Sequence, residues 1–282
     1  MILIVDSGST KSDWVVLNGS EKTYLYTMGL NPFFHSEEIV VSAVENNPEL
    51  FAIRNEVSEI HFYGAGCSSD SLKAIIQRGL QRVFVRAKIS VDHDLTACAY
   101  ATYEGEPAIS CIIGTGSNSC YFDGISVSEV VPALGYILGD EGSGSYFGKK
   151  LIASYLYNKL PEHIHTSFFT ETKLTKDAIV SRVYMEADAN VFLASMMKFI
   201  IKHNEDPFIK KMIFEGFKDF VEIHVLCYAN YKEIKTHFVG SIAHLFKNEL
   251  AKACVFHGVN LGKTIQKPID GLLNYHHQKL NA

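Results

Sequence analysis

Cysteine is sparse and unpaired in this 282-residue chain. The six thiols, Cys67, Cys98, Cys111, Cys120, Cys227 and Cys254, form no Cys-x-x-Cys pair, and their spacings fit neither a zinc nor an iron–sulfur centre. In apolar surroundings they read as small core hydrophobes. Histidine is scattered too. Only His163/His165 and His276/His277 are close pairs, and without an acid or thiol at metal spacing both are expected on the solvated surface. Lysine and arginine form no cluster, and the net charge of −5 excludes the basic footprint of a nucleic-acid binder. No apolar stretch approaches the roughly 20 residues that span a bilayer. Met1 runs straight into a strand, with no basic leader before it. The expectation is a cytoplasmic protein that engages neither membrane nor nucleic acid.

What remains is ordinary globular composition, 47% hydrophobic and 20% charged, with enough chain for one large or two medium domains. The opening stretch is its most informative part. Ile2–Val5 is an apolar, β-branched run ending in Asp6, followed by Ser7-Gly8-Ser9-Thr10-Lys11-Ser12, a second apolar strand and the Asn18-Gly19 reversal. This is a hairpin pattern with an unusual first loop. Backbone N–H groups at Gly8, the hydroxyls of Ser7, Ser9, Thr10 and Ser12, and the Lys11 cation together suit a phosphate cradle, and Asp6 could hold hydrated magnesium. A plain hairpin rich in serine and glycine would look similar.

Lys22–Met28 reads as a third strand. Helices are expected at His35–Asn46, Ser71–Val85 and Leu95–Tyr103, and strands at Glu59–Tyr63 and Lys88–Val91. The order β-β-β-α-β-α-β-α describes an α/β layered domain with a mixed sheet. Then the opening returns: strand Ala108–Ile113, loop Gly114–Ser119, strand Cys120–Phe122 and the turn Asp123-Gly124. A second copy implies two similar domains, split near Gly105. Val127–Val131 is strand-like, and Gly139-Asp140-Glu141-Gly142-Ser143-Gly144 opens a long helix at about Tyr146–Asn158. Pro161–Thr175 shows a loose pattern. Helices are expected at Lys176–Glu186, Ala189–His203 and Asp206–Tyr231, a strand at Glu233–Val239, a helix at Gly240–Phe256, a strand at Ile265–Pro268 and a final helix at Ile269–Leu280.

Asp6-Ser-Gly-Ser-Thr-Lys11, Gly114-Thr-Gly-Ser-Asn118, Gly139-Asp-Glu-Gly-Ser143 and Val239-Gly-Ser-Ile-Ala243 occur in that order. The set resembles the N-acetylglucosamine kinase branch of the BadF-type ATPase family, in the superfamily of actin, sugar kinases and heat-shock chaperones. The resemblance covers nearly the whole chain. It implies an α/β fold of two actin-like, ribonuclease H-like domains with mixed sheets flanked by helices and a nucleotide cleft between them. The domains would be 1–105 and 106–268, with a helical insertion at about 160–231 and the final helix 269–282 packing back on the first. It also implies an ATP- and magnesium-dependent kinase acting on an amino-sugar hydroxyl, N-acetylglucosamine at carbon 6.

On the matched positions, the resemblance makes Asp6 the magnesium residue and puts Gly8, Ser9, Thr10, Lys11, Thr115, Gly116, Gly240 and Ser241 around ATP. Phosphoryl transfer needs charge neutralisation at the γ-phosphate, an in-line nucleophile and a base. Asp94, at a strand end before a helix, resembles the family's catalytic aspartate; as an isolated residue it reads more readily as an N-cap. Asp92 is the competing carboxylate, and His93 is a neighbour without a role. Asn31, Asn118, Asp140 and Gly144 match sugar-contacting positions, with turn residues and a helix N-terminal acid as the plainer reading of the polar three. Leu134 stands where the family's animal enzyme has a tryptophan, and Trp14 reads as core. Three alternatives remain: a partner-activating ATPase of the same family, a kinase for glucosamine or another hexose, and a non-catalytic nucleotide sensor. The activator's Gly-Gly-Gln-Asp segment after a cysteine and the Cys-x-Cys-Gly zinc site of repressor-type glucokinases are both missing. A homodimer stays open.

Overall fold

The computed structural model describes residues 1–8 and 10–280, and Ser9 lies outside them. Five strands make the first sheet: β1 (Ile2–Ser7), β2 (Lys11–Asn18), β3 (Glu21–Met28), β4 (Glu59–Gly64) and β5 (Lys88–His93), in the order β3-β2-β1-β4-β5. The first three form an antiparallel meander, while β4 and β5 join parallel to β1. Crossovers are made by α1 (Glu37–Glu45), the short α2 (Pro48–Ala52) and α3 (Asp70–Val83); α4 (Asp94–Thr102) follows β5. Strand alternation sends Leu3, Val5, Trp14 and Val16 to one face, where they pack with Val40, Val44, Ile76 and Leu80 of α1 and α3. Trp14 is fully buried there, as expected, with its indole N–H given to Thr27.

The second sheet repeats the design. β6 (Ala108–Ile113), β7 (Ser117–Phe122) and β8 (Val127–Ser128) form the meander, and β9 (Lys235–Val239) and β10 (Leu261–Ile265) add parallel on the other side, in the order β10-β9-β6-β7-β8. Helix α5 (Gly135–Leu138) is one turn, and α6 (Gly144–Leu156) is the long helix after the glycine-rich loop. An all-helical stretch follows: α7 (Glu162–Thr172), α8 (Lys176–Val180) with a π-helical turn at Ser181–Met185, α9 (Ala189–Ser195), α10 (Met197–Lys202) and α11 (Pro207–His224). Helices α12 (Ser241–Leu245) and α13 (Lys247–His257) lie between β9 and β10, and α14 (Ile269–Leu280) ends the described chain.

Chain packing separates two units, Met1–Glu104 with the chain from Pro268 onward, and Gly105–Lys267. Within the first, α14 lies on α4, and Gly271 permits the contact because a Cβ there would sit 2.3 Å from the Ala101 carbonyl oxygen. Helix α4 is buried nearly all round, which explains its weak amphipathicity.

Several expectations need correction. Pro161–Thr175 holds α7, a helix anchored by Ile164 and Phe168, with Phe168 packed against Tyr155 and Phe199. The helix expected over Gly240–Phe256 is broken at Phe246, and β8 is two residues long. The last strand comes earlier, at β10. His276 is not solvated: α14 buries it, with its Nε2 2.9 Å from the Tyr63 hydroxyl. No helix among the described residues is long and apolar enough to cross a membrane.

Candidate active site

In the first unit, the β1–β2 turn closes with the Gly8 N–H donating to the Lys11 carbonyl at 3.0 Å. Registration puts Asp6 opposite Asp13 and Ser7 opposite Ser12, so the two carboxylates share one sheet face and the two serines the other. The serines are buried and build the scaffold. Their hydroxyls bond each other at 2.7 Å, Ser12 donates to the Met28 carbonyl, and Ser7 accepts from the Leu30 N–H. They therefore offer no hydroxyls to a phosphate, contrary to expectation. Lys11 also departs from its expected role: its ammonium pairs with Asp13 at 3.2 Å and sits 3.7 Å over the Tyr26 ring. Thr10 and Gly8 are exposed at the turn.

The bond from Ser7 to Leu30 ties the turn to the loop carrying Asn31. Asn31 is buried; its side-chain oxygen accepts from the Phe33 N–H, its backbone N–H donates to His35, and it packs onto Gly66 after β4. The ends of β1 and β4 thus fix this loop, with the Ala65 N–H donating to the Ser7 carbonyl.

Asp94 is the first residue of α4, just past the end of β5, with its side chain 26% exposed. The cap belongs to His93, whose Nδ1 lies 3.3 Å from the Leu95 N–H and 3.0 Å from an Asp94 carboxylate oxygen. The N-cap reading of Asp94 is therefore wrong, and His93 has a structural task after all. Asp92 is engaged elsewhere: one oxygen receives the Lys73 ammonium at 2.8 Å and the His93 N–H at 2.9 Å. Burial, together with the negative charge of Asp94, pushes the nearby Cys67 thiol up to about 12, so it stays protonated.

In the second unit, the β6–β7 loop is braced from its far side by α6. The Gly144 N–H donates to the Gly114 carbonyl at 2.8 Å and the Ser145 N–H to the Thr115 carbonyl at 3.1 Å. Gly144 is buried and its N–H is committed to this loop, which removes that donor from any sugar contact. The Ser143 side chain caps α6 through the Tyr146 N–H. Thr115 and Gly116 stay half-buried at the loop tip.

Asp140 has a left-handed backbone, φ 59°, which turns its carboxylate onto the loop. It accepts from the Ser117 N–H at 3.1 Å, and a Cβ on Gly116 would lie 3.0 Å from both carboxylate oxygens. Burial raises its pKa, the Ser117 bond opposes that rise, and the neighbouring Glu141 charge adds to it. Asn118 is buried, its amide donating to Glu129 and its oxygen accepting from Ser119. Leu134 is 55% exposed, an aliphatic surface beside Gly139. Gly240 is forced: at φ 129°, a Cβ would meet the Ile113 carbonyl oxygen at 2.2 Å. Ser241 follows, exposed, as the first residue of α12.

Sequence reasoning missed Asp13, Lys73 and His224 as neighbours of these groups. Of the three, only Asp13 carried a signal, because hairpin registration places it opposite Asp6.

No protein-family model and no curated protein matches the chain. Solved structures do. A Porphyromonas gingivalis protein provisionally described as an N-acetylglucosamine kinase is 35% identical, with 99% of this chain and 100% of that one covered and a TM-score of 0.94. A Chromobacterium violaceum protein described in the same terms is 15% identical over 97% of this chain and 98% of its own, with a TM-score of 0.66. A ROK-family glucokinase from Streptomyces griseus, solved with glucose and AMPPNP, is 14% identical over 98% of each chain, with a TM-score of 0.54. The last two bear on the fold alone. At 35% identity over its full length to the first of them, with both sheets in the duplicated order, the chain belongs to the N-acetylglucosamine kinase family of actin-fold, ATP-dependent sugar kinases.

Proposed function

We propose that this kinase transfers the γ-phosphoryl group of ATP to the carbon-6 hydroxyl of N-acetylglucosamine or a close amino sugar, with Asp94 as the base. The observation that carries the assignment is the division of labour at the end of β5. Asp92 is taken by the Lys73 ammonium and His93 caps the helix, while Asp94 stands partly exposed at the first position of α4. Its carboxylate would receive the hydroxyl proton as the oxygen attacks phosphorus.

Asp6 and Asp13 form a pair of hard oxygen donors at a strand end, a donor set that fits magnesium held through water. The ion, when bound, neutralises phosphate charge. Lys11 balances Asp13, so the β1–β2 turn would meet phosphate through Gly8, Ser9 and Thr10. Thr115 and Gly116 supply the second phosphate loop, and Gly240-Ser241 the backbone against the nucleotide. Asp140, Asn31 and Asn118 would read the sugar, with Leu134 as its apolar neighbour.

An ADP-release screen over glucose, glucosamine, N-acetylglucosamine, N-acetylmannosamine and N-acetylmuramate tests the proposal. N-acetylglucosamine should give the highest kcat/KM. A clear preference for unacetylated glucose would move the substrate to a plain hexose, and no stimulation by any sugar would end the amino-sugar reading.

A further inference from the structure

Helix α11 belongs to the helical stretch after α6, yet it contacts the Gly139–Ser143 loop at two places and the first turn of α6 at a third. Gly142 lies against it so closely that a Cβ would meet the Phe220 Cβ at 3.1 Å and the Gly216 carbonyl oxygen at 3.2 Å. The Tyr146 hydroxyl donates to Asp219. At the end of the helix, His224 Nε2 lies 3.3 Å from a Glu141 carboxylate oxygen.

His224 is only 3% exposed and stacks on Phe220 with ring centroids 4.9 Å apart. Burial lowers its pKa more strongly than the Glu141 charge raises it, which keeps the ring neutral. A neutral ring facing a carboxylate carries its proton on Nε2 and donates it to Glu141. Its Nδ1 is buried with no hydrogen-bond partner. A leucine here would fill the space without leaving an orphan nitrogen, so packing alone does not explain an imidazole. The bond to Glu141 does.

The Glu141 side chain is 18% exposed. One oxygen lies 3.6 Å from the point where a Gly139 Cβ would stand, and the Leu134 Cβ lies 3.1 Å from that same point. We infer that His224 is a positioning residue that holds Glu141 as a second hydroxyl-reading carboxylate next to Asp140, beside Leu134. The inference rests on the sugar-kinase reading of this loop. Two adjacent carboxylates accept hydrogen bonds from neutral or cationic sugars and repel acidic ones. The substrate class is therefore a sugar without an acid group near the atoms that Glu141 reads.

The test uses the full chain and the variants His224→Leu, His224→Gln and Glu141→Gln. Sugar KM should rise about tenfold in His224→Leu, while kcat and ATP KM stay within about twofold. His224→Gln, whose amide can donate to Glu141, should recover most of that loss. Glu141→Gln should narrow the discrimination between N-acetylglucosamine and N-acetylmuramate. Hydrogen exchange at 139–145 should quicken in His224→Leu while β6 and β9 keep their protection. Unchanged exchange, or a sugar KM within about twofold of the parent in His224→Leu, overturns the inference. A parent protein that releases ADP with none of these sugars fails the substrate reading separately, and the exchange result alone then decides whether His224 holds the loop.

Discussion

Replacing Asp94 with asparagine separates chemistry from folding, because the structure gives the carboxylate little to do for stability. His93 supplies the α4 cap, so Asp94→Asn removes no capping bond. What is lost is a favourable charge at a helix N-terminus, about 0.3–1 kcal/mol, and at most a small contribution from the His93 contact. The melting temperature should fall by no more than about 2–4 °C. A missing general base costs about 10²- to 10⁴-fold in kcat, roughly 3–5 kcal/mol on the barrier. The two magnitudes are far enough apart to be read in one preparation. Coupled ADP release gives kcat and both KM values, and thermal unfolding gives the stability. Asp92→Asn is the matched control: it breaks only the Lys73 pair, an exposed interaction worth about 0–1 kcal/mol, and should leave kcat within about threefold. A kcat for Asp94→Asn within about threefold of the parent refutes the assignment, and a collapse in Asp92→Asn alone transfers it to Asp92.

Gly240→Ala should destabilise the second unit by about 3 kcal/mol or more, since a positive φ and a backbone clash at 2.2 Å act together; denaturant unfolding measures this. Ser7→Ala should cost about 1–3 kcal/mol, because the buried Leu30 N–H loses its acceptor and the Ser12 hydroxyl one of its two partners, and a loss under about 0.5 kcal/mol would contradict the buried network. Burial, with the His61 ring and Lys279 adding to it, lowers the His276 pKa from 6.5 to about 4. The unfolded chain therefore takes up a proton that the folded one refuses, so this contribution to stability is complete above about pH 6.5 and is lost as pH falls toward 4. Thermal unfolding between those limits should show a shallower acid-side loss in His276→Gln than in the parent.

The motif loops were legible because their chemistry is local. An apolar strand ending in an acid, then a tight turn of small residues, defines Asp6–Lys11 within a dozen residues, and the second copy at Gly114 follows the same rule. What each side chain does there was not legible. Ser7 and Ser12 look like phosphate ligands in a list of hydroxyls, but strand alternation turns both inward, onto Leu30 and Met28. Lys11 looks like a phosphate cation until registration brings Asp13 and Tyr26 to the same face. His276 reads as solvated because nothing near it in the chain reveals that α14 lies on α4. Helix α7 was hidden by serine, threonine and phenylalanine residues of middling helix propensity, and its formation depends on Tyr155 and Phe199.

By itself the sequence determined the duplicated α/β design and the position of both strand–turn–strand loops, and the family resemblance singled out Asp94 and Asp140 as the acids to examine. The loops are short-range features, set by strand period and turn chemistry. Tertiary structure alone decided which groups are already committed: Asp92 to Lys73, Lys11 to Asp13, Gly144 to the Gly114 carbonyl. It also joined Glu141 to His224 across 83 residues. Such pairings depend on register and on helices packed from distant parts of the chain, and burial then sets the charge states that make them matter.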